Sequence, residues 1–389
     1  MDYGTQTPQV LEATDRAQTA ARSVVHQFGQ KLFFLPGTHI GAIRRPTRRI
    51  KSLFSPWHYW WQAHYVDALV DAGQRELATG VKFDGASRPS AGRLASRLVT
   101  TIRLRNFLTF VNSYYDDMAW LALSSWRLEQ LAEKTRNPGR RRNARLLKTL
   151  SLQFDSASTD DLGGGTFWSK KRDFKNTPAT APVALHFART GRRERAQALV
   201  DWLDAKLFDA SQGMYLDGLR IRAGGEIFLE NAIYTYNQGP ILGALLELGG
   251  PVNLERAEAL IRAIDARLTL APEGNAPVPM RAGARILRCD GTGDGGLFTG
   301  ILVRYLALAA NDSAVSTEAR SIAATLVRDT AEALWQGRRP AGEGAPDMIF
   351  STHPLKTAAQ TYPAGAVVEL STQLQAWMIF EAAASLGTV

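Results

Sequence analysis

From about residue 50 to the C-terminus, apolar residues recur at helical spacing in segments separated by short Gly, Pro and Asn breakers, and few runs alternate with the period of a strand. The pattern predicts an all-α protein. Four stretches resemble one another: 131–155, 186–209, 245–268 and 307–335 each hold the end of one helix, a polar turn and an amphipathic helix. Their starts recur roughly every 55 to 60 residues, which suits a helical hairpin plus its connector as the repeating unit. An earlier unit at 57–77 and a final apolar helix at 371–387 extend the series to roughly six hairpins. The first helix of each hairpin is the more apolar, as in MAWLALSSW (118–126) and PILGALLEL (240–248). A linear stack of hairpins needs polar caps at both ends, whereas a closed ring buries the first helix of every hairpin. The series therefore predicts an (α/α)6 barrel, a toroid of helical hairpins, over residues 51–389. Residues 1–50 are expected to form an N-terminal extension that packs on the barrel or leads into it.

The connectors entering the inner helices read NSYYDDMAW (112–120), LGGGTFWSKKRDFKN (162–176), AIYTYNQGP (232–240) and CDGTGDGGLFTG (289–300). They occupy equivalent places in successive repeats, so they should converge at one mouth of the barrel. Aromatic faces mixed with carboxylates and amides suit a sugar. Asp116 and Asp117 admit two readings. Acids at a helix start accept hydrogen bonds from free N–H groups and oppose the helix dipole, which is capping. Here Tyr114, Tyr115 and Trp120 surround them, and a desolvated carboxyl has its pKa raised, further so in one partner of a like-charged pair. An acid that keeps its proton near neutral pH is what glycoside cleavage requires. Retaining glycosidases hold their carboxyls about 5 to 5.5 Å apart and inverting ones about 6.5 to 9.5 Å. Neighbouring Cα atoms are about 3.8 Å apart, so adjacency favours retention.

Composition narrows the remaining classes. With 45% hydrophobic and 21% charged residues, the 389-residue chain can bury a sizeable core. A net charge of +9 invites a nucleic-acid reading. The basic clusters at 44–51, 140–148 and 191–195 lack interleaved aromatics, however, and read as arginine-rich solvated surface, so no nucleic-acid partner is expected. Attraction to an anionic glycan or lipid head group is the milder alternative. Cys289 stands alone, which rules out an intramolecular disulfide and a cysteine-rich zinc site. The N-terminus has no apolar signal-like core and no apolar run approaches membrane-spanning length, so a cytoplasmic chain is expected. The histidines His26, His39, His58, His64, His186 and His353 show no zinc-ligand spacing, and His64 in WWQAHYVDA reads as a packed or rim residue. A magnesium-binding DDxxD motif would need an acid where Trp120 stands. No metal or other cofactor is expected.

NSYYDDMAWLALS, LGGGTFW followed by KN, YTYNQGPILGALLEL and DGGLFTGILVRYL occur in this order. In order and context they resemble glycoside hydrolase family 76, the endo-α-1,6-mannanases, in a bacterial form, from about Trp57 to the C-terminus. The resemblance implies an (α/α)6 barrel in which Asp116 is the nucleophile and Asp117 the acid/base. It also implies that Tyr236, Asn237 and Gln238 line the sugar site, with Lys175 and Asn176 on the family's KN pair. Asp294 matches an acid ahead of an inner helix, where capping is the other reading. Trp168 offers a stacking face or a core side chain, and Tyr115, Trp61 and Gln62 complete the expected sugar contacts. For Gly239 and Pro240 the plain reading is helix initiation. Phe167, Thr180 and Thr299 depart from the family pattern, which leaves subsite specificity open. The implied partner is an α-mannan oligo- or polysaccharide, from a fungal mannan or the mannan core of an anionic lipoglycan, bound by a monomer. The alternatives are a mannan-binding barrel without turnover and a barrel glycosidase of another linkage specificity.

Overall fold

In the computed structural model, which describes residues 8–46, 56–136, 140–272, 277–289 and 291–386, each polar turn separates a helix that is apolar nearly all round from one that is apolar on one side. In chain order the helices are α1 (Pro8–Phe28), α2 (Tyr59–Thr79), α3 (Ala91–Arg105), α4 (Tyr115–Lys134), α5 (Arg140–Ala157), α6 (Thr177–Arg189) and α7 (Arg193–Leu207). They continue with α8 (Thr235–Leu248), α9 (Gly250–Arg267), α10 (Gly295–Asn311), α11 (Thr317–Gln336), the one-turn α12 (Ala358–Thr361) and α13 (Leu370–Ala384). Every residue of α13 from Leu370 to Ala382 is buried, whereas α9 buries only Asn253, Ala257, Leu260, Ile261 and Ile264, one stripe at helical spacing.

That difference decides which helices go inside. α2, α4, α6, α8, α10 and α13 each pack on the next, and α13 returns to α2, closing the ring. α3, α5, α7, α9 and α11 cover α2, α4, α6, α8 and α10 from outside. The sixth outer position, against α13, is filled by α1 from the opposite end of the chain. The molecule is an (α/α)6 barrel. Its inner helices approach closely where side chains vanish: a Cβ on Gly300 of α10 would stand 2.9 Å from the Cα of Gln375 on α13. α8 begins at Thr235, so Gly239 and Pro240 lie within it and do not initiate it. Gly239 is needed instead for contact with α10, because a Cβ there would meet Tyr305 at 2.9 Å.

Buried ion pairs fix the ring's register. Asp67 and Asp71 of α2 accept from Arg127 of α4 and from Arg304 of α10, the latter at 2.9 and 2.7 Å. Arg75 of α2 makes a two-pronged bond to Glu381 of α13, both arms 2.9 Å. All inner helices begin at the same end, so the connectors gather there. One of them forms a three-stranded antiparallel sheet, 174–176 against 218–221 against 227–230, which the helical periodicity did not foreshadow.

Candidate active site

Asp116 and Asp117 occupy the first turn of α4, at the mouth. Tyr114 holds the N-cap position without a side-chain cap bond. Asp116 Oδ2 accepts from Trp168 Nε1 at 3.0 Å, and Asp117 Oδ2 accepts from Asn112 Nδ2 at 2.6 Å. Among the described residues, Asp116 Oδ1 is buried with no hydrogen-bond partner. Burial pushes Asp116 up to about 7, while the N–H groups of the helix start and of Trp168 pull the other way. Asp117 is pushed well above the usual carboxylate range, by burial first and then by the charge of Asp116. Both readings of the pair are thus present at once: the helix start favours charge, and desolvation opposes it more strongly.

Trp168 is held by backbone. Its carbonyl accepts from Tyr115 N at 2.7 Å, its N–H donates to the carbonyl of Phe174 at 2.7 Å, and Lys170 N donates to the carbonyl of Ser113 at 2.9 Å. Its ring leans on that of Tyr114, 4.9 Å between centroids. The loop that carries it is organised by Lys175, which is fully buried. Lys175 Nζ donates to the carbonyls of Thr159, Asp161 and Gly164 at 2.7 to 2.8 Å and sits 4.6 Å from the centre of the Phe167 ring. Desolvation lowers the Lys175 ammonium to about 8. The glycine run is required because Gly165 has a φ of +75° and lies flat on Trp202, which a Cβ would meet at 2.7 Å. Lys175→Met leaves those carbonyls unsatisfied; stability is expected to fall by about 2–4 kcal/mol in denaturant titration. Turnover should fall with it as Trp168 loosens.

The facing wall comes from α2, α8 and α10. Asp294 stands at the start of α10 but makes no side-chain cap bond. Its Oδ1 instead accepts from Trp61 Nε1 at 2.8 Å and Trp60 Nε1 at 3.2 Å. Its charge contributes to raising Asp116, Asp117 and Tyr236, so it lies near the pair. The Tyr236 ring stacks on Phe298, 3.9 Å apart and 13° from parallel. Burial raises the Tyr236 hydroxyl, with Asp217, Asp116 and Asp294 adding to the effect. Asn237 Nδ2 donates to Asp217 Oδ1 at 3.2 Å, and burial pushes Asp217 up to about 6.

Of the expected sugar contacts, Trp168, Tyr236 and Asp294 gather around the aspartates, Asn237 binds Asp217, and Trp61 acts through Asp294. The others are spent on the scaffold. Both ends of the Gln62 amide bind the backbone of Gly41, and the Gln238 amide does the same to Tyr215. Asn176 caps α6 by accepting from Ala179 N at 3.2 Å, and Tyr115 is buried in the core. Phe167, Thr180 and Thr299 are buried as well, and the two threonines bind backbone groups, so these departures bear on packing and not directly on subsites. His64 is a packed residue between Trp60 and Trp120, kept neutral by burial. Sequence reasoning missed Asp217, Trp60 and Asn112. Asn112 was visible, since it lies in the same motif as the aspartates, whereas Asp217 sits in the unremarkable stretch LDGLRI.

The model of glycosyl hydrolase family 76 matches residues 12–386. The chain belongs to this family. It is a glycoside hydrolase. Among solved structures, the α-1,6-mannanase GH76A from Salegentibacter sp. HEL1_6 is 24% identical, with a TM-score of 0.76 over 96% of this chain and 100% of that one. An inactive variant of the same mannanase, with two consecutive aspartates replaced by asparagine, is in complex with α-1,6-mannotriose; its TM-score is 0.75 at 24% identity, over 96% of this chain and 100% of that one. Dfg5 from Chaetomium thermophilum, in complex with glucosamine, is 18% identical with a TM-score of 0.66 over 99% of this chain and 92% of that one. No curated protein sequence matches.

Proposed function

We propose that this family 76 member hydrolyses α-1,6-mannosidic linkages by double displacement, with Asp116 as nucleophile and Asp117 as acid/base. The observation that carries the assignment is the asymmetry of the pair. Asp116 has the Trp168 N–H and the helix start to stabilise its anion, whereas Asp117 accepts from the Asn112 amide and feels the charge of Asp116. The member that ionises more easily is the better nucleophile, and the one that keeps its proton can protonate the leaving oxygen. Asp117 then returns as base for water. The tilted ring of Trp168 and the stacked Tyr236 and Phe298 supply apolar faces for pyranose rings, with Asp217 and Asp294 in place to accept from sugar hydroxyls. The relatives bound to α-1,6-manno-oligosaccharides support mannan as the substrate class. The natural polymer is a fungal mannan backbone or a lipoglycan mannan core.

Incubation with linear α-1,6-mannan should release reducing ends, the first of them in the α configuration by NMR. Absence of release, or a β-configured first product, overturns the reading. The pH profile follows from the same pair. The nucleophile must be ionised, so kcat/KM falls as pH drops through the Asp116 value, about 7. The acid must be protonated, so it falls again as pH rises through the Asp117 value, which burial sets well above the usual range. Trp168→Phe removes a donor that favours the Asp116 anion; its acid limb should move to higher pH, with a loss of roughly tenfold at neutral pH. An unmoved acid limb would assign that limb to another group.

A further inference from the structure

The rim of the mouth carries a second surface. Two connectors flank α2 there, residues 29–46 after α1 and residues 106–114 between α3 and α4. Their surroundings are fastened together: His39 N donates to Thr101 Oγ1 at 3.0 Å, the Tyr59 hydroxyl donates to the carbonyl of Phe110 at 2.7 Å, and the Arg105 guanidinium lies 5.9 Å from the Trp57 ring. A turn tipped with large apolar side chains projects from each connector. Phe34 is 85% exposed beside Phe33 and Leu35, and Phe107 is 90% exposed beside Leu108 and Leu104. The backbone holds the tips outward in a conformation bulky residues rarely adopt, with φ of 46° at Phe33, 62° at Phe34, 54° at Phe107 and 64° at Leu108. Such strain persists only where the surrounding structure imposes it.

The connectors that carry these tips are basic in sequence. Residues 29–46 and 97–115 contain no Asp or Glu, while they hold Lys31, Arg44, Arg45, Arg97, Arg103 and Arg105. Arg44 is matched by Glu369, but Arg103 uses its Nε on the carbonyl of Leu108 at 2.8 Å, which sets a guanidinium directly beside an apolar tip.

We infer that these two turns dock the mouth of the barrel onto an anionic lipid bilayer. Projecting aromatic and leucine tips with cations at their base match the boundary between acyl chains and phosphates: the tips enter the apolar layer and the cations stay at the head groups. A protein partner would instead call for a broad, continuous apolar face with mixed charge at its rim. Among the described residues no helix is long and apolar enough to cross a membrane. The consequence for substrate rests on the mannanase reading: a mannan tethered to lipid would be presented to a catalytic pair that opens toward the same surface. The docking itself does not depend on that reading.

The test is cosedimentation of the full chain with vesicles of phosphatidylcholine alone and of phosphatidylcholine containing phosphatidylglycerol. Partition should be about tenfold or more stronger with the anionic lipid, and should weaken as salt screens it. The double variant Phe34→Asn with Phe107→Asn should lose about tenfold or more of that partition. Asn tolerates positive φ, so its Tm should be unchanged or higher. Its activity on soluble mannan should equal wild type. Failure of the folded wild type to bind anionic vesicles, or equal binding by the double variant, overturns the inference. So does a concentration-dependent dimer that the double variant abolishes, since a second copy would then cover the tips. Vesicle binding by a wild type inert on soluble mannan would sink the functional reading alone.

Discussion

Asp116→Asn should abolish hydrolysis of linear α-1,6-mannan and of activated aryl α-mannosides alike, with kcat down about 10⁴-fold or more. The amide keeps the shape of the carboxyl and can still accept from Trp168, but it cannot form the covalent glycosyl-enzyme, and no leaving group rescues that step. The same substitution should stabilise the fold. Asp116 is raised above its unfolded value near 4, so its favourable contribution is complete below about pH 4 and is lost as pH rises through about 7. A neutral amide escapes that loss. The variant should therefore melt about 2–5 °C above wild type at pH 8, and the two curves should converge at pH 4. An inactive variant that melts lower at pH 8 would mean the carboxylate holds the site together, and full activity would refute the assignment.

That trade of stability for reactivity explains which parts of the site could be read from sequence. Asp116 and Asp117 stood out because two acids among tyrosines and a tryptophan contradict the ordinary rules for a solvated helix start. The ring of inner helices was legible for a related reason: segments such as PILGALLEL (240–248) are apolar nearly all round and have no stable place except between other helices. Motif residues were harder to sort. Lys175, Gln62 and Gln238 have side chains that could bind sugar hydroxyls, and they stand beside residues that face the cleft. Whether such a side chain meets substrate or a backbone carbonyl depends on how its loop folds back, which short-range pattern does not encode. Asp217 lies at the far extreme. Only the pairing of 218–221 with 174–176 brings it beside Asn237, and no local signal marks it. The role of α1 was equally hidden, since its partner α13 lies at the other end of the chain.

Asp117→Ala separates the second carboxylate from the first. Without an acid, the glycosylation step depends on the leaving group, so kcat/KM on mannan should fall about 10²–10⁴-fold while an aryl α-mannoside with a good leaving group loses far less. Deglycosylation then becomes limiting, because no base activates the incoming water, and a glycosyl-enzyme on Asp116 should accumulate as a burst of phenol. Azide needs no base. Added to the Asp117→Ala variant, it should restore turnover of the aryl substrate and yield α-mannosyl azide, whose retained configuration reports attack on the covalent intermediate. Asp116→Asn should show neither burst nor rescue. Asp117 is still protonated while Asp116 titrates, so the variant should keep the acid limb of the profile and lose the alkaline one. An Asp117→Ala enzyme equally impaired on both substrates and unresponsive to azide would exchange the roles of the two aspartates; a β-mannosyl azide, formed by direct displacement on the substrate, would rule out the covalent intermediate on Asp116.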